Sequence, residues 1–328
     1  MSCSEQSVSV SKTNNQEIPD PFEQNKLLSK TINFGNALEA PNEGEWGIIL
    51  KELYFKEIKA AGFTAVRLPI RWSAHTQLDS PFTIEADFFS RIDWILDQAE
   101  ENDLAIIINI HHYEEIFANP DHEKEKFISI WKQITKKYIN RPTTVFYEIL
   151  NEPNDQLTAQ LWNIYLAEAI DVIREIDSTH TVIIGPAEWG GISAINKLII
   201  PSEEKNAIFT FHYYTPFEFT HQGAEWVDNS EAWLGTTWNG FQNEKVEIST
   251  DFLSVKLWAE QRNLPVFLGE FGAYYKADYT SRFKWTEYVA QRAEQDSFSW
   301  AYWEFAAGFG IYDPDAEEWQ PLLKALIP

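Results

Sequence analysis

The run Val145-Phe-Tyr-Glu-Ile-Leu-Asn151-Glu152-Pro153 is aliphatic or aromatic for most of its length and stops at a glutamate followed by proline. A second run, Pro265-Val-Phe-Leu-Gly269-Glu270-Phe271-Gly272, has the same build and ends at Glu270 among glycines. Runs of strand-forming residues bounded by turn formers read as strands. Working outward from these two (144–150 and 265–269), the same reading gives strands at Thr31–Gly35, Ala65–Leu68, Leu104–Ile110, Thr181–Ile184, Ala207–Tyr213 and Ser299–Trp303. Amphipathic stretches of helical period separate them, near Trp46–Ala61, Glu85–Asn102, Glu123–Ile139, Thr158–Ile176, Ser193–Leu198, Ser249–Asn263 and Ser281–Gln295, with a last one at Gln320–Ile327. Strand and helix in alternation predict a parallel sheet, and eight strands suggest that it closes. The expected architecture is therefore of the α/β class, a single (β/α)8 TIM barrel. An open doubly wound sheet competes, but no glycine-rich phosphate loop follows the first strand.

A chain of 328 residues fits one large domain, here 21–328, preceded by a flexible polar, Ser-rich tail over 1–20. Cys3 is the only cysteine, so no internal disulfide forms; its use as the lipidated first residue of a trimmed lipoprotein stays open. The charge of −24, from 26 basic and 50 acidic side chains, opposes nucleic acid and anionic lipid. No apolar run reaches the length of a membrane span. Neutral partners remain, and 14 Trp, 13 Tyr and 22 Phe supply flat rings that suit sugar faces as well as a core.

In a barrel of this kind the chemistry sits at the carboxyl ends of the strands. In order these ends carry Asn36 and Glu39, Arg67, His111-His112-Tyr113, Asn151-Glu152, Glu188-Trp189, His212-Tyr213-Tyr214, Glu270 and Trp303-Glu304. Any one of them alone reads as a satisfied structural partner; their convergence on one rim does not. Two carboxylates on rigid strand ends are what glycosidic-bond hydrolysis requires, one to hold a proton for the leaving oxygen and one to attack. Adjacent strand residues point to opposite faces, so His111 and His112 are poorly placed to share a metal, and no metal or other cofactor is expected. A serine hydrolase is disfavoured by the absence of Gly-x-Ser-x-Gly. The segment Thr215–Ile248 is too long for a plain connection and holds Phe217, Phe219, His221, Trp226, Trp233 and Trp238, which marks it as an active-site loop.

Leu-Asn-Glu-Pro (150–153), Ile-His-His-Tyr (110–113), Phe-His-Tyr-Tyr (211–214), Phe-Leu-Gly-Glu-Phe-Gly (267–272) and Ala-Tyr-Trp-Glu-Phe (301–305) resemble glycoside hydrolase family five. The likeness runs from about Asp20 to the C-terminus. The stretches Gly35–Gly44, Phe219–Trp226 and Gly308–Tyr312 point to a bacterial branch that includes endoglucanases of Thermotoga, some of which also cleave mannan. The resemblance implies that Glu152 is the acid/base, Glu270 the nucleophile, and Asn151 the group holding the 2-hydroxyl of the sugar being cleaved. It also implies that Arg67 and Tyr214 partner the nucleophile and that His212 neighbours the acid/base. His111 and His112 become sugar contacts, Trp303 the floor beneath the reacting sugar, and Asn36, Glu39, His221, Trp226 and Glu304 outer substrate contacts.

Independently of the family, Arg67 beside Glu270 is expected to lower its pKa and keep it ionised, while Glu152, near that charge and partly desolvated, keeps its proton. The reading is a retaining endo-β-1,4-glycanase acting on a glucan and also on mannan. It is expected as a monomer that is secreted, periplasmic or at the bacterial cell surface, with a cytoplasmic location left open. The alternatives are an exo-acting glucosidase or transglycosylase on oligosaccharides, and a non-catalytic carbohydrate-binding protein.

Overall fold

The computed structural model describes residues 18–328; Cys3 and most of the expected tail lie outside the described residues. In chain order the elements are α1 (Pro21–Leu27), β1 (Lys30–Asn33), α2 (Glu52–Ala61), β2 (Ala65–Leu68), α3 (Ala86–Glu101), β3 (Ala105–Asn109), α4 (Glu114–Ala118), α5 (Pro120–Tyr138), β4 (Val145–Glu148), α6 (Ala159–Ile176), β5 (Val182–Ile184), β6 (Ala207–His212), α7 (Phe217–Thr220), α8 (Gln242–Glu260), β7 (Val266–Phe271), α9 (Tyr279–Gln295) and β8 (Ser299–Tyr302). A short ribbon of β9 (Tyr312–Asp313) and β10 (Glu318–Trp319) follows. Strands β1 to β8 pair in sequence order, all parallel, and β8 returns to β1, so the barrel is closed as expected. No helix among the described residues is long and apolar enough to cross a membrane.

Four expected helices differ. The first begins at Glu52, not Trp46, because Gly44 and Gly47 turn the chain through left-handed conformations (φ +88° and +95°) that an α-helix cannot hold. α8 starts at Gln242 rather than Ser249, where the Glu244 carboxylate accepts the Asn239 and Phe241 backbone N–H groups and caps the first turn. The stretches near 193–198 and 320–327 form 3₁₀ turns, Ile192–Lys197 and Pro321–Ala325.

The side-chain period of two along each strand sorts the barrel into an outer and an inner set. Val66, Leu68, Ile106, Ile108, Phe209, Phe211, Leu268 and Trp300 belong to the large core shared with the helices. The inner set begins with a separate buried cluster of Leu28, Ala65, Ala105, Ile107, Phe146, Ile183, Ile208, Phe267 and Ala301. Leu28 comes from the end of α1, whose Asn25 bonds the Val266 carbonyl and the Ser299 hydroxyl at the starts of β7 and β8, so α1 plugs the base. One period further along the strands several inner residues turn polar, Arg67 after Ala65, Asn109 after Ile107 and Glu148 after Phe146, and on β1 the polar Thr31 is followed by Asn33. The barrel interior thus passes from an apolar base to a charged mouth.

Candidate active site

Arg67 is the centre of that mouth. It is fully buried, and its five N–H donors are all taken. Nε and Nη2 fork onto Glu148 at 2.6 Å each, Nη2 also reaches Asn151 Oδ1 at 2.8 Å, and Nη1 reaches Asn33 Oδ1 and Glu270 Oε1 at 2.8 Å each. Asn33 and Glu148 were not singled out from the sequence. A carboxylate inside an apolar strand (Tyr147-Glu148-Ile149) was the available signal, since an unpaired buried charge is prohibitively costly.

Glu270 lies on β7 and accepts the Tyr214 hydroxyl on its second oxygen at 2.9 Å. A register shift between Phe211 and His212 brings His212 opposite Glu270 rather than Gly269. The His212 Nδ1 is 2.6 Å from Glu152 Oε1 and 3.5 Å from Glu270 Oε2. One oxygen of each glutamate and a ring nitrogen of His212 lie within 4.8 Å of one another. Those three groups have the spacing of a metal site, but the Arg67 guanidinium already supplies positive charge against Glu270. Glu152 sits four residues beyond β4 with φ +45°, and a quarter of its side chain is exposed. It faces the cleft, whereas Glu270 is buried beneath it.

Burial is the largest influence on Glu270 and raises its pKa, while His212, Arg67 and the Tyr214 hydroxyl pull it back. The expected net lowering by Arg67 is not found; desolvation at the bottom of the cleft outweighs it. For His212, burial alone disfavours the charge, yet Glu270 and Glu152 override it and raise the pKa. The Tyr214 hydroxyl is pushed well up by burial and Glu270, so it stays a donor. His111 is held well below its ordinary value by burial and by His112, Arg67 and His212, and is neutral. Asn109 Nδ2 donates to its Nδ1 at 3.1 Å, which leaves Nε2–H free to donate.

A cavity of about 1150 Å³ opens over these groups. Asn36, Glu39, His111, His112 and Trp303 line it, with Trp303 parallel to the His111 ring at 5.8 Å. Glu188, Trp189, Phe217, His221 and Trp226 also line it, together with Asn151, Glu152, His212, Tyr214 and Glu270. His112 points into the cavity alongside His111 because β3 ends at Asn109 and His112 is left-handed (φ +46°), which breaks the strand alternation. His221 is drawn down to about 4 by burial. Trp46, Tyr274 and Phe309 also line the cavity. Trp46 was hidden inside an expected helix; the glycines on either side of it were the missed signal.

Glu304, expected as an outer substrate contact, stands apart from the others. It is 1% exposed, and its oxygens accept the backbone N–H groups of Ala306, Ala307 and Phe309, so the carboxylate shapes the turn after β8 behind the cavity wall. Glu39 is equally buried and accepts Asn36 and Ala37 N–H in the same manner, but it also lines the cavity. Burial raises both carboxyl groups to about 7.

Residues 31–308 match the cellulase family, glycosyl hydrolase family 5. Endoglucanase H of Acetivibrio thermocellus is 35% identical over 296 residues, which are 90% of this chain but 31% of that protein, so this chain spans about a third of it. Among solved structures, Cel5A of Thermotoga maritima, seen in complex with cellobiose and with mannotriose, is 52% identical with a TM-score of 0.93, over 94% of this chain and 100% of that one. A hyperthermophilic endo-β-1,4-glucanase in complex with substrate is 44% identical with a TM-score of 0.92, covering 94% of this chain and 99% of its own.

Proposed function

Because the chain belongs to glycosyl hydrolase family 5, we propose that it is a retaining endo-β-1,4-glucanase in which Glu270 is the nucleophile and Glu152 the acid/base. The observation that carries the reading is the close approach of the two carboxylates, within 4.8 Å. Retaining enzymes hold theirs ~5–5.5 Å apart because direct attack leaves no room for water, whereas inverting enzymes need ~6.5–9.5 Å. Glu270 attacks the anomeric carbon as the glycosidic C–O bond breaks, and the Glu152 proton passes to the departing oxygen. Glu152 then takes a proton from water, whose oxygen displaces Glu270 and restores both groups. The burial of Glu270 under Arg67 and Tyr214 suits the nucleophile; the cleft-facing position of Glu152 suits proton exchange with leaving group and water.

An endo mode is supported by the size of the open cavity, about 1150 Å³ and lined from the loops that follow β1 and β3 to β8, which suits an extended chain of sugars. Acceptance of mannan as well as glucan is supported by donors from more than one direction around the reacting sugar, at Asn151, His111 and His112, because C2 carries its hydroxyl equatorially in glucose and axially in mannose. The site is complete within one chain, which fits a monomer, and a polymeric substrate fits action outside the cytoplasm. Proton NMR of the first-formed product from a soluble β-glucan tests the mechanism: the β-anomer is expected, and the α-anomer would overturn it. Release of reducing ends from both glucan and mannan tests the breadth. Glucan cleaved fast with mannan untouched would remove the second substrate.

A further inference from the structure

Trp226 is 61% exposed, so its indole is not held in place by burial, and its orientation depends on what anchors the backbone around it. The segment between β6 and α8 (213–241) contains Glu218, Glu225, Asp228 and Glu231 and neither lysine nor arginine. The cation comes from elsewhere. Lys276, in the turn after β7, donates to the Gly223 carbonyl at 2.5 Å and lies 2.7 Å from Glu225 and 3.8 Å from Glu231. Its stem is packed against the loop as well: Gly223 has φ +67°, and a Cβ there would lie 2.7 Å from Lys276 Cδ. Two residues earlier, the Tyr274 hydroxyl donates to the other oxygen of Glu225 at 2.6 Å, and the Trp226 ring stands edge-on to Tyr274 at 4.9 Å. A lone surface ion pair carries little. Here one ammonium gathers a carbonyl and two carboxylates from three points of the loop, and the residue next to its closest carboxylate is the cleft tryptophan.

We propose that Lys276 is a positioning residue that ties the β6–α8 loop to the strand of the nucleophile and so fixes Trp226 as a rigid platform for a sugar of the bound glycan, an assignment that rests on the β-glycanase reading above. Lys276 touches no substrate; it acts on affinity through Trp226.

The test is steady-state hydrolysis of cellotetraose by Lys276→Met, Lys276→Arg, Glu225→Gln and Trp226→Ala, and by Lys276→Met combined with Trp226→Ala. Lys276→Met raises KM about fivefold and changes kcat less than about twofold, because a loosened platform costs binding rather than chemistry. Lys276→Arg recovers most of the loss, and Glu225→Gln reproduces it, which keeps the proposal testable should Lys276→Met fold poorly. In the Trp226→Ala background, Lys276→Met has no further effect, since residues acting through one contact are not additive. Additive effects of the two substitutions, or a fall in kcat with KM unchanged, would overturn the clamp while leaving the enzyme reading intact. A wild-type protein inactive on every neutral β-1,4-oligosaccharide would sink the enzyme reading and the clamp with it.

Discussion

Arg67 has no spare donor, and the Glu148 carboxylate takes both of its hydrogen bonds from it, while Glu270 has, among the described residues, only Tyr214 and His212 besides. Arg67→Met leaves Glu148 and Glu270 buried without their counter-charge, at a cost of about 3–5 kcal/mol, and a fall of that size in thermal and urea stability is the expected outcome. Arg67→Lys should not rescue, because three rotating donors on a point charge cannot satisfy a forked carboxylate and two side-chain amides together. The two glutamates separate by leaving group. Glu152→Ala should still form the glycosyl-enzyme from an aryl glycoside whose leaving group needs little protonation, then stall, and azide should release a glycosyl azide of retained configuration. Glu270→Ala should be slow on every substrate, with azide entering from the vacated side to give inverted product; identical behaviour of the two variants, or swapped configurations, would refute the assignment. The sign of the pH response follows from Glu270. It must be ionised to attack and its pKa is raised, so activity is lost at a higher pH on acidification than for a solvated glutamate. Tyr214→Phe removes a donor that favours the ionised form, and the acid limb of kcat/KM should move further up.

At the scale of elements, the eight strands were legible because each pairs an apolar run with a turn former, and the long amphipathic helices were legible by period. What escaped the sequence was set by tertiary contact. Trp46 sits in a stretch with apolar spacing near to helical, and only the left-handed turns at Gly44 and Gly47 exclude a helix. α7 is a single turn inside the loop after β6, too short to show a period. Most of the candidate site was legible as a set of strand ends, but Asn33 and Glu148 were not, because they lie within strands and only the closed barrel turns them to Arg67. Glu304 shows the opposite case: it was read as facing substrate, yet its oxygens hold the turn after β8, while Glu39 holds the turn after β1 and also lines the cavity. These turns also give a prediction. Both carboxyl groups bind protons more tightly in the folded chain, at about 7, than at the ordinary glutamate value of 4.5. The stabilisation they contribute is complete below 4.5 and is lost as pH rises through about 7. His111 and His221, with lowered pKa values, pull the other way in part of that window, so the test is a difference: Glu304→Gln should make the urea midpoint fall less, or rise more, with pH there than in the wild type, and an unchanged slope would contradict the assignment.

For the whole molecule, the charge of −24 acts at distances beyond any contact. An anionic glucan such as carboxymethylated cellulose should be repelled on approach, and its KM should fall severalfold as ionic strength rises from about 10 mM to about 150 mM, where the Debye length is about 8 Å. A neutral glucan of the same linkage should show no such change, and equal responses would rule out long-range repulsion. The barrel also has two unlike ends. Its base is stoppered by α1, and its mouth carries all the groups described above. Since α1 precedes β1 directly, the described chain enters the barrel from the stoppered side. A tether placed there, whether to a surface, a bead or another protein, would leave the cleft facing outward, free to ride along an insoluble fibre instead of being pressed against its own support.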